Sequence, residues 1–133
     1  MNKLTFIIPI YNEEGAIGRT IDGIRKIFPD VPIVVCDNNS SDNSLREAKE
    51  KNVQILSENK KGKGYAVSKL FRTIDSKTYI LVDGDNTYDL TNLKKAYDVF
   101  EEEKLDMMIG NRFYNKNSSY MRRGHDIGNI FFT

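Results

Sequence analysis

The sequence lacks most of the features that would take it out of the ordinary soluble class, and each absence removes a possibility. It holds one cysteine, Cys36, so no disulfide framework can staple it. Cys36 lies in an apolar run, where a small buried hydrophobe is expected rather than a reactive thiol. A reducing cytoplasm suits that usage. No apolar stretch approaches the ~20 residues of a transmembrane helix, and the opening Met1-Asn-Lys-Leu-Thr-Phe-Ile-Ile-Pro9 is interrupted too early for a signal peptide. Lys and Arg number 20 against 19 Asp and Glu, a net charge of +1, so no general attraction to nucleic acid or to an anionic membrane is expected. There is no repeat and no low-complexity linker. Hydrophobic residues at 39% and charged residues at 29% are the proportions of a soluble globular protein. Residues 1–133 are expected to form a single domain, long enough to bury a core.

What is present is an alternation of short apolar runs and amphipathic stretches. Residues 4–9 read as a buried strand. From Glu13 the pattern changes to helical spacing, with Ile17, Ile21, Ile24 and Phe28 on one face and Pro29 as the stop. Residues 31–36 form a second strand. Asp42 or Ser44 can cap the next helix, and Ser44-Leu-Arg-Glu47 fits a capping box. A short strand at 53–56 leads through a Gly/Lys loop to a helix over 65–74, with apolar positions 66, 67, 70, 71 and 74 on one face. A strand over 78–82 ends on Asp83. Leu90, Leu93, Tyr97 and Phe100 line another helix, and 107–109 form a further strand. The order β-α-β-α-β-α-β-α-β predicts an α/β fold with a mostly parallel sheet flanked by helices. Ligands of such sheets gather at the carboxyl ends of the strands.

The first strand ends in Pro9-Ile-Tyr-Asn-Glu-Glu14, where a dinucleotide fold would carry Gly-x-Gly-x-x-Gly. Gly15 and Gly18 have the wrong spacing and are expected inside the helix. Tyr11 offers a ring to a base and Glu13 a carboxylate to base or ribose donors; equally, Asn12 can cap the helix with acids in its first turn. The second strand ends in Asp37-Asn-Asn-Ser-Ser-Asp42. Asp37 suits ribose hydroxyls or a base N–H, while the Asn and Ser residues suit a turn. Asn59-Lys-Lys-Gly-Lys-Gly-Tyr-Ala66 opens the third helix with glycines that let backbone N–H groups approach a phosphate. A solvated basic turn is the other reading, and a Walker A loop is excluded because Gly64 follows Lys63.

The most informative segment is Tyr79-Ile-Leu-Val-Asp-Gly-Asp-Asn-Thr87. Asp83 and Asp85 flank a glycine directly after an apolar strand. Two such carboxylates can share a hard divalent cation, Mg²⁺ or Mn²⁺, and leave positions open for water and diphosphate oxygens. That placement outweighs the plain turn reading.

Pro9-Ile-Tyr-Asn-Glu-Glu14, Asp37-Asn-Asn-Ser-Ser-Asp42, Gly62-Lys-Gly64 and Asp83-Gly-Asp85 together resemble family 2 glycosyltransferases in order and spacing. The nearest subgroup is similar to dolichyl- and undecaprenyl-phosphate sugar transferases. Gly110-Asn-Arg112 resembles that subgroup's Gly-x-Arg motif, and Arg122, Arg123 and Gly128-Asn129 resemble its next segment. The resemblance implies a GT-A (Rossmann-like) fold and inverting transfer from a nucleoside-diphosphate sugar to a polyprenyl phosphate or a growing glycan. It implies Pro9, Tyr11, Glu13 and Asp37 at the nucleoside, with Lys63 nearby. Asp83 would sit near ribose and metal, Asp85 would be the principal metal ligand, and Asp83, Asp85 and Arg112 would form the catalytic set. Arg112 would meet the acceptor phosphate, with Arg122 or Arg123 as further candidates beside a solvated-pair reading; His125 is expected at the surface. Such enzymes continue into an Asp-x-x-(Ser/Thr)-Gly-(Tyr/Phe) motif, often followed by membrane-associated helices. Here Ile130-Phe-Phe-Thr133 is expected to lie inside an amphipathic helix of a C-terminally truncated chain. Ile127, Ile130, Phe131 and Phe132 would give that chain an apolar face for association. The longer form would be peripheral at the inner face of the cytoplasmic membrane. The rival readings are a non-catalytic nucleotide-sugar-binding fragment or partner subunit, a nucleotidyltransferase and, more remotely, a dehydrogenase. The last two want glycine-rich loops that residues 11–15 do not supply.

Overall fold

A computed structural model of the protein describes residues 1–110 and 131–132. Four parallel strands, β1 (Asn2–Ile10), β2 (Ile33–Asp37), β3 (Gln54–Ser57) and β4 (Ser76–Leu81), are joined in turn by helices α1 (Ile17–Ile27), α2 (Ser44–Glu50) and α3 (Lys63–Thr73). Helix α4 (Leu93–Glu102) and two short strands follow, β5 (Met107–Met108) and β6 (Phe131–Phe132). The sheet order is β3-β2-β1-β4-β6-β5, with β6 antiparallel to both of its neighbours.

β1 is buried from Leu4 to Ile10 because both faces of the sheet are covered, which is why it reads as a continuous apolar run. Its side chains alternate between two cores. Phe6, Ile8 and Ile10 meet Ile17, Ile21, Ile24 and Phe28 of the α1 segment and Tyr97 and Phe100 of α4. Ile7 turns the other way, to Val34, Cys36 and α3's Ala66 and Leu70. The first core is tied together by aromatic edges, Phe6–Phe28 at 5.3 Å and Phe28–Tyr97 at 6.0 Å between ring centroids. Phe28 closes α1 by donating its N–H to the Ile24 carbonyl at 2.8 Å. Its φ of −128° and ψ of 73° are non-helical, as the following Pro29 demands.

Two consequences of this order position a site. Strands β2 and β3 extend the sheet to one side of β1 and β4 to the other, so the direction of winding changes between β1 and β4. A crevice opens outside the carboxyl ends of strands at such a point. Pro9, with no N–H to give, stands beyond the last β1–β4 pairing, Ile7 with Leu81.

The structure corrects several expectations at element ends. α1 begins at Ile17, not near Glu13, and Gly15 lies outside it with φ +78°. Leu90 precedes α4. Phe131 and Phe132 form a strand paired to Tyr79–Ile80 and to Met107–Met108, not a turn of amphipathic helix. A pair of phenylalanines fits either state, and the open edge of β4 decides between them. Ile127, Ile130 and the apolar face expected around them lie outside the described residues.

Cys36 is fully buried, and burial pushes its thiol up to about 11. Thiolate is therefore scarce near pH 8. Ellman's reagent should label Cys36 promptly in denaturant and hardly at all in native buffer; prompt native labelling would show that this face of the sheet opens readily.

Candidate active site at the carboxyl ends of the strands

After β1 the chain turns through Asn12 (φ 49°) and Gly15 (φ 78°). The backbone N–H groups of residues 12–15 all donate to side chains that follow β2. Asn12 donates to Ser40 Oγ (3.0 Å), Glu13 to Ser44 Oγ (2.6 Å), Glu14 to Asp42 Oδ2 (3.1 Å), and Gly15 to both oxygens of Glu47 (2.8 and 3.0 Å). Asn12 Oδ1 in turn accepts from the Ser41 N–H at 2.8 Å, and Asn43 Nδ2 donates to Glu14 at 2.6 Å. Asn12 therefore does not cap α1, which starts with no side-chain cap bond. The capping box also does not form: Ser44 and Glu47 bond to the first connection instead, although Asp42 Oδ1 does accept from the Ser44 N–H at 2.9 Å. Burial pushes the Asp42 carboxyl up, but hydrogen bonds from the Ser44 hydroxyl and from the Ser44 and Glu14 N–H groups outweigh it and hold the group below its usual range.

Asn38, buried beside Asp37, makes a second tie. Its Nδ2 donates to the carbonyls of Glu58 (2.9 Å) and Lys60 (2.7 Å), and its Oδ1 accepts from the Gly62 N–H (2.9 Å). Gly62, at φ 137°, then starts α3, a conformation that favours glycine. This fixes Lys63 at the helix start.

The third contribution is Asp83-Gly-Asp85 after β4. A Cβ on Gly84 would lie 2.6 Å from Ile10 Cγ2 and 3.3 Å from Ile17 Cδ1, so only glycine lets this loop pack against the end of β1. Asp83 forms an ion pair through Oδ1 with Lys63 and accepts from the Tyr88 hydroxyl through Oδ2 at 2.9 Å. Asp85 Oδ1 accepts from the Thr87 hydroxyl (2.6 Å) and N–H (3.1 Å). Glu13 faces both acids. Burial, then the charges of Asp85, Asp83 and Asp42, raise its carboxyl above the usual range, and Lys63 opposes them.

A cleft of about 300 Å³ results, walled by Pro9, Tyr11, Glu13, Lys63, Asp83 and Asp85, with Asn38 and Lys61 added to the residues expected there. Tyr11 is half-exposed, a free ring at the mouth. Asp37 does not line the cleft: it is buried at the end of β2, where Oδ2 accepts from the Ser40 N–H at 3.3 Å and Oδ1 has no hydrogen-bond partner among the described residues. Arg112, Arg122, Arg123 and His125 lie outside the described residues. Among the described residues no three His, Cys, Asp or Glu side chains gather into a cation cage. Asp83 and Asp85 nevertheless fit Mg²⁺ or Mn²⁺ of the kind that takes one or two carboxylates and completes its shell with phosphate and water.

The fold of a four-stranded parallel sheet with helices on both faces is that of the GT-A glycosyltransferases. Glucosyl-3-phosphoglycerate synthase from Mycobacterium tuberculosis, solved with Mn²⁺, uridine-diphosphate-glucose and phosphoglyceric acid, matches with a TM-score of 0.68 at 20% identity, over 81% of this chain and 43% of that one. The sequence profile of glycosyl transferase family 2 matches residues 5–132, and the chain belongs to that family. Protein RfbJ of Shigella flexneri is 35% identical over 123 residues, which cover 92% of this chain and 95% of that protein. The dolichyl-phosphate hexose transferase of Haloferax volcanii is 30% identical over 131 residues, covering 98% of this chain and 57% of that enzyme. The chain thus spans little more than half of the second relative.

Replacing Gly84 by alanine should cost about 1–3 kcal/mol, because the methyl group meets a branched side chain that is itself packed in the core. Urea unfolding of Gly84→Ala measures this, and an unchanged midpoint would mean that the loop can lift from Ile10 freely.

Proposed function

We propose that the cleft binds a nucleoside-diphosphate sugar with a divalent cation, and that the sugar passes with inversion to a polyprenyl phosphate or a growing glycan. The observation that carries this reading is the pair of carboxylates around Gly84, facing Lys63 across the crevice between β1 and β4. The Mn²⁺ and nucleotide sugar in the Mycobacterium tuberculosis enzyme support the donor half. The name of the Haloferax volcanii relative supports a lipid phosphate as acceptor.

Each residue has a role in this reading. Tyr11 stacks on the base, and Glu13 accepts from base or ribose donors. Asp37 serves the nucleoside site from behind them: its Oδ2 accepts from the Ser40 N–H, and Ser40 Oγ accepts from the Asn12 N–H between Tyr11 and Glu13. Asp85, as principal ligand, and Asp83 would hold the cation, with Asp83 also near the ribose. When bound, the cation would supply charge compensation for the departing diphosphate. Lys63 and Lys61 add positive charge on the same side. The acceptor oxygen attacks the anomeric carbon opposite the diphosphate; the new C–O bond forms as the bond to the diphosphate breaks. A phosphate oxygen is already anionic near neutral pH and needs little general-base help, whereas a sugar hydroxyl would need a base. Arg112, with Arg122 or Arg123, is proposed to hold that acceptor phosphate. The proposed seat is cytoplasmic, with the longer form peripheral at the inner face of the cytoplasmic membrane.

Calorimetric titration with uridine and guanosine diphosphates, in Mn²⁺ and then in EDTA, tests the donor site. Affinity should fall in EDTA, and Asp85→Ala should lose the Mn²⁺ stimulation while its circular dichroism stays unchanged. Equal affinity in both buffers would sink the cation assignment. A sugar nucleotide that binds well but is never transferred to prenyl phosphate would return the chain to a nucleotide-sugar-binding role.

Asp37→Ala should weaken nucleoside diphosphate binding by about 1–3 kcal/mol, because the Ser40 N–H loses its acceptor and the turn that presents Tyr11 and Glu13 loosens, and leave pyrophosphate binding unchanged. An unaltered nucleotide affinity would show that Asp37 has no part in the nucleoside site.

A further inference from the structure

We propose that Lys63 is a built-in counter-ion: its ammonium holds the Asp83 carboxylate until the divalent cation takes that place, and then turns to the donor's diphosphate. The inference deepens the cation-dependent donor binding proposed above and rests on it.

Three observations lead to it. The first is an asymmetry in the ion pair. The Asp83 side chain is 19% exposed and that of Lys63 is 60% exposed. A carboxylate largely withdrawn from water gains more from a positive partner than a solvated ammonium loses by leaving one. Asp83 is the demanding member of the pair and Lys63 the replaceable one.

The second is the charge around them. Glu13 feels Asp85, Asp83 and Asp42 as like charges and Lys63 as the opposing one. Without a cation, the cleft would concentrate negative charge exactly where an anionic diphosphate has to arrive. Lys63 reduces that charge by occupying Asp83. A divalent cation on Asp83 would stand within a few ångströms of the ammonium, and the two positive charges compete for one carboxylate.

The third is the mounting. Lys63 is the first residue of α3, next to Gly62, and the loop before it is held by the three Asn38 bonds. Its backbone is therefore fixed while its four-carbon stem is free to swing. Exchange needs only side-chain rotation. The diphosphate gives the released ammonium a new anionic partner, so cation and diphosphate each make room for the other. Their affinities are coupled in the same way from either side.

The test uses the whole chain, Mn²⁺ alone, and pyrophosphate in saturating Mn²⁺, which avoids any dependence on the base. Lys63→Met should bind Mn²⁺ alone at least about five-fold more tightly than the parent chain, and Mn²⁺-pyrophosphate at least about five-fold more weakly. Lys63→Arg, which keeps the charge, should follow the parent chain in both titrations. Lys63→Gln repeats the experiment should the methionine variant fold poorly. If loss of the charge weakens both ligands, or leaves Mn²⁺ affinity unchanged, Lys63 is an ordinary anion-binding residue and the exchange is wrong. If the parent chain binds no Mn²⁺ with or without pyrophosphate, the cation-dependent reading fails first and the exchange falls with it.

Discussion

Four successive backbone N–H groups at the end of β1 have to be satisfied, and the way this is done directs everything else in the site. A run of amides at the entrance to a helix is an anion site in waiting, and dinucleotide folds leave theirs for a phosphate. Here the anions are resident. Asp42 and Glu47 take the amides of Glu14 and Gly15, while hydroxyls of Ser40 and Ser44 take those of Asn12 and Glu13. A diphosphate approaching the start of α1 would meet two carboxylates and no vacant donor among residues 12–15. Such a charge would have to be met by Lys61 and Lys63, which line the cleft away from residues 12–15. The same bonds fasten the first βα connection to the second, so Tyr11 and Glu13 are presented by a braced turn. The missing glycine fingerprint and the acid pair after β4 thus have one physical explanation.

The strands and helices were legible because a sheet covered on both faces writes itself as apolar runs, and α1 and α3 show their buried faces at helical spacing. The acid pair and its neighbours were legible because ligands gather where parallel strands end. Local patterns were misleading where distant partners compete for the same atoms. Ser44 and Glu47 satisfy a capping box by spacing, yet the amides of Glu13 and Gly15, some thirty positions away in the sequence, claim them. Asn38 reads as a turn residue, since nothing nearby reveals that the loop before α3 returns to the end of β2 and needs three hydrogen bonds there. Asp37 was expected at the nucleoside and is buried at the end of β2, where its neighbour Asn38 lines the cleft in its place. Phe131 and Phe132 carry too short a pattern to distinguish helix from strand; pairing with β4 and β5 makes the choice.

The two walls of the cleft also differ in stiffness, and that difference follows from packing. The acid wall is part of the core: Gly84 is seated on Ile10 and Ile17, and both of those side chains are fully or almost fully buried. Moving Asp83 relative to Glu13 would require repacking the junction of β1 and α1, which close-packed interiors resist. The basic wall has a fixed backbone but long, exposed side chains, so its charges can be redistributed at little cost. On the proposed function, a site that releases a diphosphate after losing its sugar would gain from this division. Rigid carboxylates would hold a cation in the same place in both states, and the lysine stems would adjust to the changing charge of the leaving group. With the stiffness placed on the acids and the adjustability on the lysines, one cleft could hold both states without moving the sheet.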